Sequence, residues 1–594
     1  MAKVFVEPIG LTLEVDEQET LLDGLLRASV DIPTDCAGRG TCGKCLVRLG
    51  AGELTPATEQ ERKRIPEKLR NDGWRLACSA YPRSPRVSIE VRGASSQRRI
   101  LTTSKLHHGA AHPAVSAASL AIKPPTLEDL RSDHGRLSDA LGGADLPLAL
   151  LADLPPMLRD ARWHVVVLRY GKRVIDVRPG REVPTLYGVA VDIGTSKVIS
   201  YLFDLSRGVL IDQEAIENPQ MRYGEDVISR IADVAMHGTG NALADAVRDG
   251  INATLATLYE RQEIEARDVC DMTVVGNTAM HHLALRLSPV GLGQSPFTPC
   301  VAEPLTLRAS ELGFDVNPEA GVHFPAPIAG FVGSDALAVI AATRLAGKRR
   351  PSMAIDIGTN TEIALAHDGR VSVTSCASGP AFEGYQIRHG MKAVAGAIER
   401  VRVTPEGDAV GIQTIAGAEP IGICGSGVVD LLAGLVQAGL IDKTGRMLEH
   451  SRVHPGDEGP EYFVTAGAHG DIVFTQHDVR SLQLAKGAIA TGWELLLDSL
   501  GVPLEELDRV YIAGAFGNYL DLDAAQFLGL FPPLPRDRVA FVGNAAGVGA
   551  QMALIDIGAR KRMARLRERI EFLELATNPK FLDVFPSRLG FDTD

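Results

Sequence analysis

Four cysteines near the start of the chain, Cys36, Cys42, Cys45 and Cys78, read C-x5-C-x2-C with the fourth on a separate downstream segment. Three thiolates on one tight loop and a fourth reaching in from elsewhere can hold a two-iron, two-sulfide cluster, a one-electron centre. The loop Asp35–Cys45 carries Gly38, Gly40 and Gly43. These let the backbone curl around a cluster and turn N–H groups toward its sulfurs. Zinc is the first competing reading, but zinc sites usually repeat C-x2-C twice and here it occurs once. A disulfide framework is the second; it belongs to small secreted domains, and Met1–Gly10 lacks the charged-then-apolar layout of a signal peptide. The loop also satisfies G-x-G-x-x-G (Gly38 to Gly43) and G-x4-G-K (Gly38 to Lys44). Neither match has its context: the βαβ unit is missing, and Cys45 stands where a P-loop needs Ser or Thr.

A second set of chemical residues is an internal repeat. Gly188-Val-Ala-Val-Asp192-Ile-Gly194-Thr195-Ser196 returns as Ser352-Met-Ala-Ile-Asp356-Ile-Gly358-Thr359-Asn360-Thr361. A strand that ends in Asp-x-Gly-Thr and turns into another strand is a phosphate-binding hairpin. Glycine permits the turn, backbone N–H groups and hydroxyls face phosphate oxygens, and the Asp holds Mg²⁺ or its waters. Two such hairpins can grip a polyphosphate from both sides. Thr195, Ser196, Thr359, Asn360 and Thr361 are therefore expected to meet phosphate oxygens, and Asp192 and Asp356 to meet Mg²⁺ waters. Downstream, Gly425-Ser426-Gly427 opens a helix that can receive ligand oxygens, and Gly514-Ala515-Phe516-Gly517 follows a strand as an adenosine-side turn. Glu383, in Ser378-Gly-Pro-Ala-Phe-Glu383-Gly, can order an attacking water or a Mg²⁺ water; a plain turn acid is the alternative. The pair His281-His282 is expected to be one core and one surface residue.

The elements that must position these residues can be read from periodicity. Val4–Val6 and Leu11–Val15 alternate as a hairpin, Leu21–Ala28 reads as an amphipathic helix and Val87–Val91 as a returning strand. This β-grasp pattern over 1–93 resembles the [2Fe–2S] ferredoxins, with C-x5-C replacing the plant-type C-x4-C. A tether is expected over 94–122, with Leu101–Lys105 as a candidate strand. A small α+β middle domain is expected over 123–185: Leu127, Leu130 and Leu137 suggest helices, and 163–168 with 174–177 suggest a hairpin. From 186 to 594 the duplicated D-I-G-T pattern resembles the actin, sugar-kinase and heat-shock-chaperone (ASKHA) ATPases, so the fold class is α/β and multidomain. Cys270, Cys300, Cys376 and Cys424 are scattered singly, as buried small hydrophobes usually are. Net charge is −13 with the basic residues dispersed, which argues against a nucleic-acid partner. No apolar run is long enough to span a membrane, and a cytoplasmic protein is expected.

Taken together, the cysteine loop, G-N-T-A-M-H-H at 276–282, D-I-G-T-N-T-E at 356–362, S-G-P-A-F-E-G at 378–384 and A-G-A-F-G at 513–517 resemble the reductive activators of corrinoid-dependent enzymes. The resemblance runs over nearly the whole chain. It implies a [2Fe–2S] cluster on Cys36, Cys42, Cys45 and Cys78, and ATP with Mg²⁺ in the cleft. It further implies a low-potential electron donor and a corrinoid methyltransferase protein as partner, whose Co(II) is returned to Co(I). Gly425, Gly427, Gly514 and Gly517 would shape the nucleoside side. An ASKHA-type small-molecule kinase and a radical-dehydratase activator, each with an appended redox domain, are the alternatives. The sequence leaves open whether the middle domain forms a homodimer.

Overall fold

In the computed structural model, the residues described are 2–7, 11–16, 18–27, 30, 32, 38, 40, 41, 43–91, 111–143, 146–457, 459–514 and 520–591. Cys36, Cys42, Ala515, Gly517 and the candidate strand Leu101–Lys105 lie outside them.

Alternation drives the N-terminal domain. Ala2–Glu7 buries every second residue and pairs antiparallel with Leu11–Val15, from Ala2↔Val15 to Val6↔Leu11. Arg86–Val91 lies parallel on its other side, and Leu46–Ala51 and Trp74–Leu76 complete the sheet. The helix Leu21–Arg27 closes the core through Leu21 and Leu25, both fully buried with Val4, Val6, Leu76 and Ile89. This is the β-grasp arrangement.

The tether expected over 94–122 is shorter at its far end. Val115–Ala121 is a strand paired along its length with His164–Tyr170, which in turn pairs with Arg173–Pro179. One face of this small sheet covers Leu137, Leu154 and Leu158 from the helices Asp133–Ala140 and Leu148–Asp160. The other face, through Val166, Leu168 and Ile175, joins the core of the large C-terminal unit. A strand made largely of Ser and Ala, with only Val115 buried, has too little contrast between its faces to show a period. Leu127 and Leu130 lie on no helix and stand exposed; only Leu137 of the three carries a helix into the core.

The large unit is a true duplication. In the first half, 187–193 is flanked by the antiparallel pair 197–204 and 209–217 on one side and by the parallel strands 269–276 and 321–324 on the other. The second half repeats this with 352–357 at the centre, 361–367 and 370–376 antiparallel, and 509–513 and 539–543 parallel. Each fifth strand leads to a helix, Ser334–Ala342 and Ala545–Ile555, and the two helices cross between the halves. Small residues permit that crossing: a Cβ on Gly549 would stand 2.4 Å from the Ala338 carbonyl oxygen. Gly549→Ala is expected to destabilise the protein by about 1–3 kcal/mol through overpacking, read as a lowered unfolding midpoint; an unchanged midpoint would mean that the crossing yields freely. Among the described residues, no helix is long and apolar enough to cross a membrane.

Candidate functional site: a two-hairpin cleft beside a cysteine loop

The duplicated strands bring the two D-I-G-T turns face to face. In the first, Gly194 N–H donates to Lys197 O at 2.8 Å; in the second, Gly358 N–H donates to Asn360 O at 3.1 Å. Between them lies a cavity of about 300 Å³ lined by Asp192, Gly194, Thr195, Ser196, Asp356, Gly358, Thr359, Asn360, Glu383, Gly425, Ser426 and Gly514. Most of the expected site residues thus meet in one place. Gly514 closes its floor with φ +94°, and a Cβ there would lie 2.3 Å from Ile357 O, so only glycine fits.

Two expected residues do other work. Thr361 is fully buried and shares its hydroxyl with Ser378 Oγ at 2.8 Å, locking the second hairpin to the following loop and facing away from the cavity. Gly427 is a packing residue, since a Cβ would stand 2.3 Å from Ile398 O. The histidine expectation is corrected as well: both rings are buried. His282 bonds Thr278 O at 2.7 Å through Nδ1 and receives Cys300 N–H at Nε2, 2.8 Å away. His281 packs edge-on against Phe324, and neither of its ring nitrogens has a partner among the described residues. Burial, with His282 adding, pushes its pKa down to about 3, so it is neutral. The helix Thr278–Ala284 has no exposed face; all seven residues are buried.

The structure adds residues to which the sequence motifs assign no role. Asn277 caps that helix and donates from Nδ2 to Thr195 Oγ1 at 3.2 Å. Asn544 caps the helix Ala545–Ile555, receiving Gly547 N–H, and donates to Asp192 Oδ2 at 2.7 Å. Arg230, wholly buried, donates to Thr195 O at 2.6 Å behind the first turn. Asp335, in the first turn of Ser334–Ala342, and Glu362, on the second hairpin, also line the cavity. Apolar spacing could not reveal these, although Gly333-Ser334-Asp335 before an apolar run resembles a helix start.

Four carboxylates therefore converge. Each keeps an opening onto the cavity yet sits far below the surface. Burial, opposed by the Asn544 hydrogen bond, pushes Asp192 up to about 6. Burial and the neighbouring charge of Asp192 push Asp356 up to about 7. Asp335 is raised to about 7 by burial, with Asp192 and Asp356 adding to it. Glu362 is raised well above the ordinary carboxylate range, chiefly by burial and then by Asp335 and Asp356. Crowded anions of this kind favour a cation among them. Among the described residues, no three His, Cys, Asp or Glu side chains form a ready ligand cage. The set therefore fits a Mg²⁺ held largely through waters, the usual state of that ion beside phosphates.

At the mouth, Lys392 of the second half pairs with Glu217 of the first and lies over the Tyr385 ring. Glu383 spans the halves: Ser196 Oγ donates to its Oε2 and Thr359 Oγ1 to its Oε1, each at 3.2 Å. The cysteine loop lies close by. Lys44 Nζ approaches Gly384 O at 3.5 Å, and the Trp74 ring meets His469 edge-on with centroids 5.5 Å apart. Cys45 Sγ, at the end of the loop, and Cys78 Sγ, on the downstream segment, are 3.3 Å apart. That separation exceeds a disulfide bond and suits two thiolates on one iron. The Cβ that Gly38 lacks would lie 3.9 Å from Cys78 Cβ, so Gly38 lies beside Cys78. The described half of the ligand set fits a cluster.

Comparison with known proteins divides the chain along these lines. Residues 4–83 match the model of a 2Fe-2S iron-sulfur cluster binding domain, 104–183 the RACo linker region, 187–348 the RACo middle region, and 350–593 the C-terminal ASKHA domain of RACo. The unit read from sequence as 186–594 is thus split between its two halves. The corrinoid activation enzyme RamQ of Eubacterium limosum is 33% identical over 599 residues, 96% of each chain. This chain belongs to the family of corrinoid reductive activators. A solved structure of a reductive activator for a corrinoid, iron-sulfur protein superposes with a TM-score of 0.74 at 33% identity, covering 100% of this chain and 99% of that one. The Methanosarcina barkeri reductase of the Co(II) methylated amine-specific corrinoid protein is 27% identical over 442 residues, 69% of this chain and 77% of its own. The multidomain α/β architecture of the activators, with a 2Fe-2S domain ahead of an ASKHA domain, is the architecture of this chain.

Proposed function

We propose that this activator uses ATP to return one electron to the cobalt of a corrinoid methyltransferase protein, converting Co(II) to Co(I) and restoring it for methyl transfer. Bound at Cys36, Cys42, Cys45 and Cys78, the [2Fe–2S] cluster supplies a one-electron centre, refilled by a low-potential donor. Asp192 and Asp356 hold the waters of Mg²⁺, and Thr195, Ser196, Thr359 and Asn360 receive phosphate oxygens. Gly425, Ser426 and Gly514 border the nucleoside, and Ala515 and Gly517, outside the described residues, are assigned to the same side. The single observation that carries the reading is the Lys44–Gly384 contact, which sets the cluster loop directly against the wall of the two-hairpin cleft. A reducing cytoplasm is the compartment that suits a chain whose cysteines serve as thiolate ligands of iron.

ATP has a physical task in this scheme. Plant-type [2Fe–2S] centres lie near about −400 mV, Co(I) is a strong reductant, and each ~59 mV uphill disfavours a one-electron transfer tenfold. A nucleotide that binds one arrangement of activator and partner more tightly than another can offset that gap. The whole-chain likeness to a corrinoid activation enzyme supports this reading over a small-molecule kinase or a dehydratase activator. The test is an anaerobic titration with Co(II) corrinoid proteins and a low-potential reductant, followed by visible absorbance. A Co(I) band that requires Mg-ATP is expected. Absence of that band with several corrinoid proteins, while the cluster spectrum stays intact, would overturn the proposal.

A further inference from the structure

Glu383 occupies ground that a nucleotide would need. Its two carboxylate oxygens take the hydroxyls of Ser196 and Thr359, one from each hairpin. Burial raises the Glu383 carboxyl above its ordinary value, and the two hydroxyls with the charges of Lys197 and Lys392 oppose that rise. Two hydroxyls converging from opposite hairpins are donors of the kind that a phosphoryl group takes, here satisfied by a side chain of the protein itself. A carboxylate and a phosphate cannot share those donors, because both only accept and both are negative.

The residue that follows ties this ground to the cluster loop. The turn Pro380–Glu383 is bounded by Gly379 at φ +69° and Gly384 at φ +87°, two positions that swing without side-chain penalty. Phe382 and Tyr385 on either side are buried. Gly384 O is the atom that Lys44 Nζ reaches, one residue before Cys45. A few residues on, Arg388 N–H donates to Asp478 Oδ1 at 2.8 Å, and the Asp478 carboxylate feels the charge of Lys44. Lys44 thus contacts the 384–388 segment at Gly384.

We propose that Glu383 stands in for a nucleotide phosphoryl group between the two hairpins, and that nucleotide entry displaces it, moves Gly384 and releases the cluster loop from its seat. Glu383 is then a positioning residue that couples nucleotide to cluster placement. This rests on the nucleotide reading of the cleft.

The experiment uses the full, cluster-loaded chain. Binding of a non-hydrolysable ATP analogue with Mg²⁺ is measured by calorimetry for wild type, Glu383→Ala, Glu383→Gln and Lys44→Ala. In parallel, the distance between the reduced paramagnetic cluster and a nitroxide on the exposed Cys300 is measured by pulsed electron resonance. Loss of the stand-in is expected to tighten binding at least about fivefold, the lower end of typical coupling between sites. Lys44→Ala is expected to tighten it by less. The wild-type distance distribution is expected to shift and broaden on adding the analogue, whereas in Glu383→Ala it is already shifted without nucleotide. Glu383→Gln keeps the side-chain shape and decides the matter if the alanine variant fails to fold. Weaker binding by the Glu383 variants, or a wild-type distance indifferent to nucleotide, would overturn this inference while leaving the nucleotide reading intact. No binding by the wild type would overturn both.

Discussion

Cys78→Ser is expected to abolish electron delivery to a corrinoid protein while the chain stays folded. Cys78 sits on a short turn after Trp74–Leu76, and its sulfur stands 3.3 Å from that of Cys45. A serine hydroxyl is a poor replacement for thiolate on iron. Iron and acid-labile sulfide are expected to fall to background and the visible spectrum to bleach. The fold should survive, because Leu76 and Ala77 carry the packing there and Cys78 is only partly buried. Nucleotide affinity should stay within about fivefold of wild type, since the cleft is built by other domains. Undiminished reduction with Cys78→Ser would remove this residue from the ligand set. Simultaneous loss of nucleotide binding would mean that the two sites are one folding unit.

Asp356→Asn is expected to stabilise the nucleotide-free protein at alkaline pH and to cripple its use of Mg-ATP. Asp356 is raised to about 7 from an ordinary 3.8, by burial and by Asp192. The folded form therefore holds a proton that the unfolded chain has already lost at intermediate pH. Stability from this group is fully present below the unfolded value near 3.8 and drains away as pH rises through about 7. On the order of 2–4 kcal/mol is at stake by pH 8, shared among the interacting carboxylates. Calorimetry of the nucleotide-free wild type should show the unfolding midpoint falling between pH 5 and pH 8. The variant should show a higher midpoint at pH 8 and a flatter profile. Mg²⁺ with nucleotide should rescue the wild type most strongly at high pH, where the carboxylates are charged. The same substitution should weaken Mg-nucleotide binding by about 10- to 100-fold, the usual cost of losing a group that orients metal-bound water. A wild-type midpoint indifferent to pH over this range would show that these carboxylates are not crowded as described.

Much of this site could be read from short stretches of sequence, and the failures share a cause. Asp192, Thr195, Ser196, Asp356, Thr359 and Asn360 announce themselves because a tight turn between two strands needs glycine at a fixed offset, and the repeat of that offset marks both copies. Thr361 fits the same motif yet faces the core, since one step along a strand reverses the side chain. Asp335 and Arg230 carry no such signature, and Glu362 and Asn277 lie in quoted motifs that assign them no role. Asn277 and Asn544 look like ordinary helix caps, and they are caps; that each also holds a hairpin residue depends on where the helix start lies. The paired histidines were read by type, and their burial follows from packing of a short helix on all sides. Val115–Ala121 escaped notice because its small residues alternate weakly.

The sequence by itself determined the chemistry available to this chain: a thiolate loop suited to iron and sulfide, and a duplicated glycine turn suited to phosphate. Both are local, set by backbone conformation over a few residues, and so survive in the order of the letters. Only the tertiary structure decided how they meet. The crossing of Ser334–Ala342 with Ala545–Ile555 sets the two halves face to face and gathers four carboxylates whose charges raise one another. The same closure brings Ser196 and Thr359 onto one glutamate and the cysteine loop onto the residue that follows it. Those contacts join segments far apart in the chain, and their energies depend on distances that packing alone establishes.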